Sequence, residues 1–422
     1  MATERITIEN FKGISHLELD VKPFTVLIGP QSVGKSVTAK LLYYFQSINL
    51  ELFQLAINDE TSPEPKLLEL FENYLPEPNR QDGITSITYA IGENCISLTH
   101  SGEPSSAWKL KLPKIQIDEF AKIRSEFSAA KKVQNEDDLS KITFQRSQIQ
   151  QMFLKRRSEE LRGNSVYNTR FIPAGRSFYA QVEKDMVSFF ESATVDPFVS
   201  KFGKYLARLK GSKTSQTVVK ASEFSQLAAQ IAERLLSGSY YRESQKDYIK
   251  VSNGRKLSTI LWSSGQQESL PLVFLLRMYI DRVMKPLHLS KTSLFIEEPE
   301  AHLFPTSQRS MVELIALAFN ALNGSLNLFV TTHSPYVLST ANVLLKAGQL
   351  YDANPTGQAL SKVSKIVPKS KALNPSKVGA YYMDARGCRS IIDPETGLID
   401  GRAIDDVSAE LAEQLDALSD VE

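Results

Sequence analysis

The 422-residue chain holds only two cysteines, Cys95 and Cys388, too few for a disulfide framework or a zinc site and suited to a reducing compartment. It also lacks a surplus of charge: 49 basic residues against 48 acidic ones leave a net charge of +1, so any polyanion would have to be met by a local patch. No apolar run reaches membrane-spanning length; the best, residues 270–276, stops at Arg277. A signal-peptide pattern is missing from Met1-Ala2-Thr3-Glu4-Arg5, and a cytoplasmic protein without a membrane partner is expected. What is present is 42% hydrophobic content over a length that can bury a large core in two or three domains.

Gly29-Pro30-Gln31-Ser32-Val33-Gly34-Lys35-Ser36 matches G-x-x-x-x-G-K-[ST] in full. The preceding residues 24–28 read as a buried strand, and residues 36–45 read as a helix with Val37, Leu41, Leu42 and Phe45 on its apolar side. In that context the glycines let successive N–H groups converge on phosphate oxygens at a helix start. Lys35 would pair with the β- and γ-phosphates of a bound nucleotide, and the Ser36 hydroxyl would hold Mg²⁺.

A second apolar strand, Leu294-Phe295-Ile296, runs into Glu297-Glu298-Pro299-Glu300-Ala301-His302-Leu303. Adjacent strand side chains point opposite ways, which separates the tasks: Glu297 for the Mg²⁺ shell, Glu298 to position or deprotonate the attacking water. A third strand ends in Thr331-Thr332-His333-Ser334-Pro335, placing His333 as a catalytic group near the γ-phosphate. Ser263-Ser264-Gly265-Gln266-Gln267 reads from its residues as a polar loop capping the helix that begins near Glu268, and a helix start is itself suited to phosphate.

Together these four motifs, in this order, resemble those of ABC-type ATPases, and within them the soluble branch that includes SMC proteins, RecF and the OLD family. Ile6-Thr7-Ile8-Glu9-Asn10-Phe11-Lys12-Gly13-Ile14 is similar to the first strand and turn of that branch. The resemblance implies an α/β fold, an ABC-ATPase head with a mixed sheet around the P-loop and an antiparallel β lobe, carrying a helical insertion and a small C-terminal extension. It implies ATP and Mg²⁺ as cofactors and pairing in trans, with Ser263, Ser264, Gly265 and Gln266 of one protomer on the nucleotide held by Lys35 of another. A homodimer or higher homo-oligomer follows. Many relatives carry a glutamine where the core joins its helical insertion; here Ala174 stands at that place, with Arg176 as a different polar contact and Gln116 a less favoured substitute.

The expected division is residues 1–117 for the first ATPase half, 118–236 for a helical insertion, 237–350 for the second half, and 351–422 for a linker, hairpin and acidic terminal helix. Phe120, Ile123 and Phe127, then Ile149, Phe153 and Leu161, mark a short helical hairpin turning at residues 135–138. Lys201, Lys204, Arg208, Lys210, Lys213 and Lys220 form a run without an acidic residue, and a solvated helix face is the favoured reading over a phosphate-backbone track. Residues 351–377 read as connector, 378–383 and 388–392 as a hairpin, and Val407, Leu411, Leu415 and Leu418 as the stripe of a final helix. The OLD family adds a TOPRIM nuclease that needs an Asp-x-Asp pair, and residues 351–422 contain none. The expectation is therefore an ATPase sensor or scaffold controlling a separate effector, a nuclease, similar to ATPase subunits of PARIS-like or Septu-like anti-phage systems. A RecF-like or SMC-like ATPase that clamps DNA is the alternative, and direct DNA binding stays open.

Overall fold

The computed structural model describes residues 3–76, 83–103, 106–132, 139–160, 166–181, 195–211, 222–243, 246–281, 290–353 and 356–401, with 414 and 416. Its centre is a six-stranded sheet in the order β14 (Gly387–Ser390), β13 (Val378–Asp384), β3 (Phe24–Ile28), β12 (Leu326–Thr332), β11 (Ser290–Glu297), β7 (Val166–Ile172). Every pairing is parallel except the β13–β14 hairpin at one edge. All of β3 and β12 is buried, as an inner parallel strand covered on both faces must be.

Alternate residues of these strands feed two separate cores. Phe24, Val26 and Ile28, with Leu294, Ile296, Leu328 and Val330, face one cluster, while Leu27, Phe295 and Phe329 face the other. The two clusters are the two sides of the sheet, a consequence of the two-residue period of a strand. Helices Ser264–Asp281, Pro305–Ala321 and Pro335–Asp352 cover the first side, and α1 (Lys35–Ile57) covers the second.

Over α1 lies a five-stranded antiparallel lobe ordered β2 (Ile14–Val21), β1 (Glu4–Phe11), β4 (Thr85–Ile91), β5 (Asn94–His100), β6 (Lys109–Lys111). Burial alternates along β1 and β4, the mark of a sheet with one wet face. This is the mixed sheet with a P-loop core and antiparallel lobe expected of an ABC-ATPase head.

A small antiparallel sheet is formed by β8 (Ser239–Glu243), β9 (Lys246–Lys250) and β10 (Lys256–Ser258), and after α2 (Glu64–Tyr74) come the hairpin helices α3 (Lys114–Lys132) and α4 (Leu139–Glu160). Phe120, Ile123, Phe127, Ile149 and Phe153 are all buried, with Phe53 of α1 stacked on Phe153 at 5.6 Å. The hairpin thus leans on the core instead of projecting from it. Three expectations need correction. Residues 118–236 are not a helical insertion throughout, because β7 within them is a strand of the central sheet. The supposed connector contains a helix, Gly357–Ile366, and the C-terminal hairpin is no appendage, since β13 pairs with β3 from Val378 opposite Phe24 to Tyr382 opposite Ile28. Leu161, the turn 135–138, Lys213, Lys220 and the stripe from Val407 to Leu418 lie outside the described residues.

Candidate active site

At the end of β3 the chain has no room for side chains. A Cβ on Gly29 would stand 1.9 Å from the Met383 carbonyl oxygen of β13, and one on Gly34, at φ 103°, would stand 2.6 Å from Ile14. Glycine is therefore dictated at both positions by neighbouring strands. Immediately after Gly34, α1 begins, so the N–H groups at its start face outward from the sheet end. The Lys35 ammonium curls back over the loop, donating to the carbonyls of Gly29 at 2.8 Å and Pro30 at 2.5 Å. Burial pulls its pKa down to about 8, against the raising influence of Glu298 and Glu300.

Glu297 closes β11 and is buried. One of its oxygens accepts the Ser36 hydroxyl and the other accepts the Ala174 N–H at 3.2 Å. Burial raises the carboxyl's pKa, while Ser36, Lys40 and Ala174 pull it back. A hydroxyl and a carboxylate oxygen in contact are the hard donors Mg²⁺ prefers. The described residues contain no cluster of three or more His, Cys, Asp or Glu that would hold a metal unaided, so an ion here would share its shell with phosphate and water. Ser36 and Glu297 fit that partial role.

Glu298 adopts a left-handed backbone, φ 41°, which turns its side chain out of the strand and leaves it 41% exposed. His333 stands between it and the lysine: Nε2 is 3.5 Å from Glu298, and Nδ1 is 3.4 Å from Lys35 Nζ. An ammonium can only donate, so a bond on Nδ1 leaves the ring proton on Nε2, facing the carboxylate. Glu300 is buried beneath, one oxygen accepting the Thr332 hydroxyl at 2.5 Å and the His333 N–H at 2.8 Å. It fixes where the histidine begins.

The junction at residues 173–176 carries no glutamine, as its sequence indicates. Ala174 contributes its main-chain N–H, and Gln116 is remote, donating to Asn49 at 3.2 Å. Arg176 instead reaches the site with its whole guanidinium fully buried. It donates to the carbonyls of Glu297 at 2.6 Å, Glu298 at 2.9 Å, Pro173 at 3.0 Å and Glu268 at 3.3 Å. Glu268, 1% exposed, pairs with it at 3.3 Å and accepts the N–H groups of Arg176 and Ser177, each at 2.7 Å. One charged pair thereby ties β7's exit to both carboxylate-bearing residues and to the helix Ser264–Asp281.

That helix begins with the serine-glycine run. Ser263 and Gln266 bond each other reciprocally, the Gln266 amide also donates to the Leu236 carbonyl at 2.6 Å, and Ser263 and Ser264 are exposed. A Cβ on Gly265 would stand 3.0 Å from the His302 carbonyl, so the run packs against the loop that follows Glu298. Within one chain the structure brings together residues 29–36, Glu297, Glu298 and His333; it joins residues 263–266 to them through Glu268 and Arg176, by no direct hydrogen bond among the described residues. Glu268 lies outside the residues given a role, and Glu300 lies inside the acidic motif without one. Glu268 had a signal, a carboxylate on the same helical face as Leu272 and Leu275.

The AAA ATPase domain family matches residues 1–338, a span that includes the helical insertion. No curated protein matches the chain. Three solved SMC heads overlap it, each at 12% identity. An SMC head bound to the C-winged helix domain of ScpA covers 94% of this chain and 100% of its own at TM-score 0.41. The Thermotoga maritima SMC head domain covers 81% and 92% at 0.34. A Pyrococcus furiosus SMC head with an extended coiled coil, bound to the C-terminal domain of ScpA, covers 92% and 96% at 0.36.

Proposed function

We propose, from the premise that this chain belongs to the AAA ATPase domain family, that it binds and hydrolyses ATP at residues 29–36 and closes as a dimer around the nucleotide. The observation that carries the reading is the convergence of Lys35, Ser36, Glu297, Glu298 and His333 at the carboxyl end of one parallel sheet, where open α/β sheets put ligand chemistry. Lys35 exchanges its two loop carbonyls for phosphate oxygens. Ser36 and Glu297 offer oxygens to Mg²⁺, which when bound neutralises charge developing on the phosphates. Glu298 holds the attacking water and takes its proton, and His333 fixes Glu298 relative to Lys35. Ser263, Ser264, Gly265 and Gln266 serve the partner's nucleotide, and Arg176 with Glu268 passes closure there to the carboxylates here, the task of the missing glutamine.

The output is assigned to a separate effector, a nuclease, in a defence-type sensor or scaffold. In support, the α3–α4 hairpin is short and leans on the core, and β13 is committed to the central sheet. A DNA-clamping ATPase is the competing reading. Phosphate release by the purified chain with Mg²⁺ and ATP tests the enzyme: turnover rising more than linearly with protein concentration and abolished by Lys35→Ala is expected. Turnover indifferent to Lys35→Ala would refute it. Co-purification with a nuclease from the native host favours the sensor, and ATP-dependent duplex binding by the chain alone favours the clamp.

A further inference from the structure

The basic run has a shape that charge counting does not convey. Helix Pro197–Gly211 packs beside β7, the edge strand, and between them and α1 opens a cavity of about 340 Å³. Lys201, Lys204 and Arg208, spaced three and four apart, share the helical face that lines it, and Arg170 enters from β7. A solvated helix face would be convex and splay its cations. Lys201, Lys204 and Arg208 are open to solvent, but together with Arg170 they line a concavity.

Their pairing is incomplete. Lys204 and Arg208 have no hydrogen-bond or ion-pair partner among the described residues, and Arg170 Nε is buried without one. Lys201 donates to the Tyr74 hydroxyl, a neutral group. Glu51 is the one carboxylate among the lining residues, one against four cations; burial pushes its pKa up and Lys201 opposes that shift. The walls also include aromatic rings: Tyr205 lies 4.5 Å from the Arg170 guanidinium. Uncompensated cations beside rings recognise a phosphate joined to a flat heterocycle.

We propose that this cavity binds a small phosphate-bearing ligand of nucleotide size, its phosphate held by Lys201, Lys204 and Arg208 and its ring placed against Tyr205. The volume falls in the small-ligand range of roughly 300–1,000 Å³. A nucleic-acid backbone would instead need charges strung along an open track. Occupancy would be felt at the ATPase site, because Phe171 on the cavity wall lies three residues before Ala174, whose N–H holds Glu297.

The test uses the full chain carrying Lys35→Ala, which removes nucleotide binding at residues 29–36. Calorimetric titration with AMP and with GMP should show one molecule of at least one of them bound per chain. Adding Lys204→Glu and Arg208→Glu should weaken that binding by about tenfold or more, while Lys204→Arg retains it; circular dichroism controls for folding. Absence of binding by both nucleotides overturns the proposal, as does affinity unchanged by the charge reversals. Binding of a short DNA duplex, lost on charge reversal, with neither nucleotide bound, overturns it in favour of a nucleic-acid track.

Discussion

Residues 29–36 and the Arg176–Glu268 pair both stand at the carboxyl end of the parallel sheet, yet one is open main chain and the other is side chains sealed from water. The loop owes its shape to neighbouring strands that leave no space for a Cβ at Gly29 or Gly34, so its polar groups stay available to a ligand. The pair spends its hydrogen bonds inward, on the carbonyls of Glu297, Glu298 and Glu268. Binding surfaces keep polar groups free, whereas connections between surfaces satisfy them. A buried ion pair whose bonds are all made resists small displacements, which suits it to the proposed relay between the helix Ser264–Asp281 and the carboxylates.

Breaking the sealed region should cost most. Arg176→Met leaves Glu268 buried without its partner, and chemical denaturation should show a loss of about 3–5 kcal/mol. Arg176→Lys keeps the charge but loses the planar fork, so a smaller stability loss with turnover slowed about tenfold is expected. Equal turnover in the lysine variant would reduce the pair to a structural brace. Next, Glu298→Gln should slow phosphate release about a thousandfold while equilibrium dialysis finds ATP binding intact. On the open side, Gly29→Ala must push the loop from β13 and should cost about 1–3 kcal/mol in thermal unfolding. An unchanged melting temperature would mean the loop is not held by β13.

The last effect is in pH. Burial holds Lys35 at about 8 against an ordinary 10.5, so between those values the unfolded chain binds the extra proton. Stability should therefore rise as pH climbs through this window, and Lys35→Met should flatten the rise. Over the same range the ammonium is lost from the free protein, and ATP affinity should fall.

The contrast also explains what the sequence could reveal. Residues 29–36 are contiguous and flanked by a strand and a helix whose apolar patterns are local, so the loop was legible before any fold was known. The apolar strands before Glu297 and His333 were legible for the same reason. Arg176 and Glu268 lie 92 positions apart, and their meeting depends on β7 pairing with β11, which no local pattern encodes. β13 read correctly as one arm of a hairpin, but its parallel partner, β3, lies more than 350 positions away. The helix Gly357–Ile366 was hidden by polar composition; its apolar residues Leu360, Val363 and Ile366 are mostly exposed, so burial left little signature. The basic face was visible, and its concavity was not, because the opposite wall comes from α1 and β7.

The most direct test of the two-protomer site is sedimentation velocity of Glu298→Gln with Mg²⁺ and ATP. A dimer is expected, returning to monomer without nucleotide and on adding Ser264→Arg, which crowds the exposed serine at the helix start while leaving Lys35 free to bind ATP. A particle of unchanged size with and without ATP, or a dimer indifferent to Ser264→Arg, would contradict it.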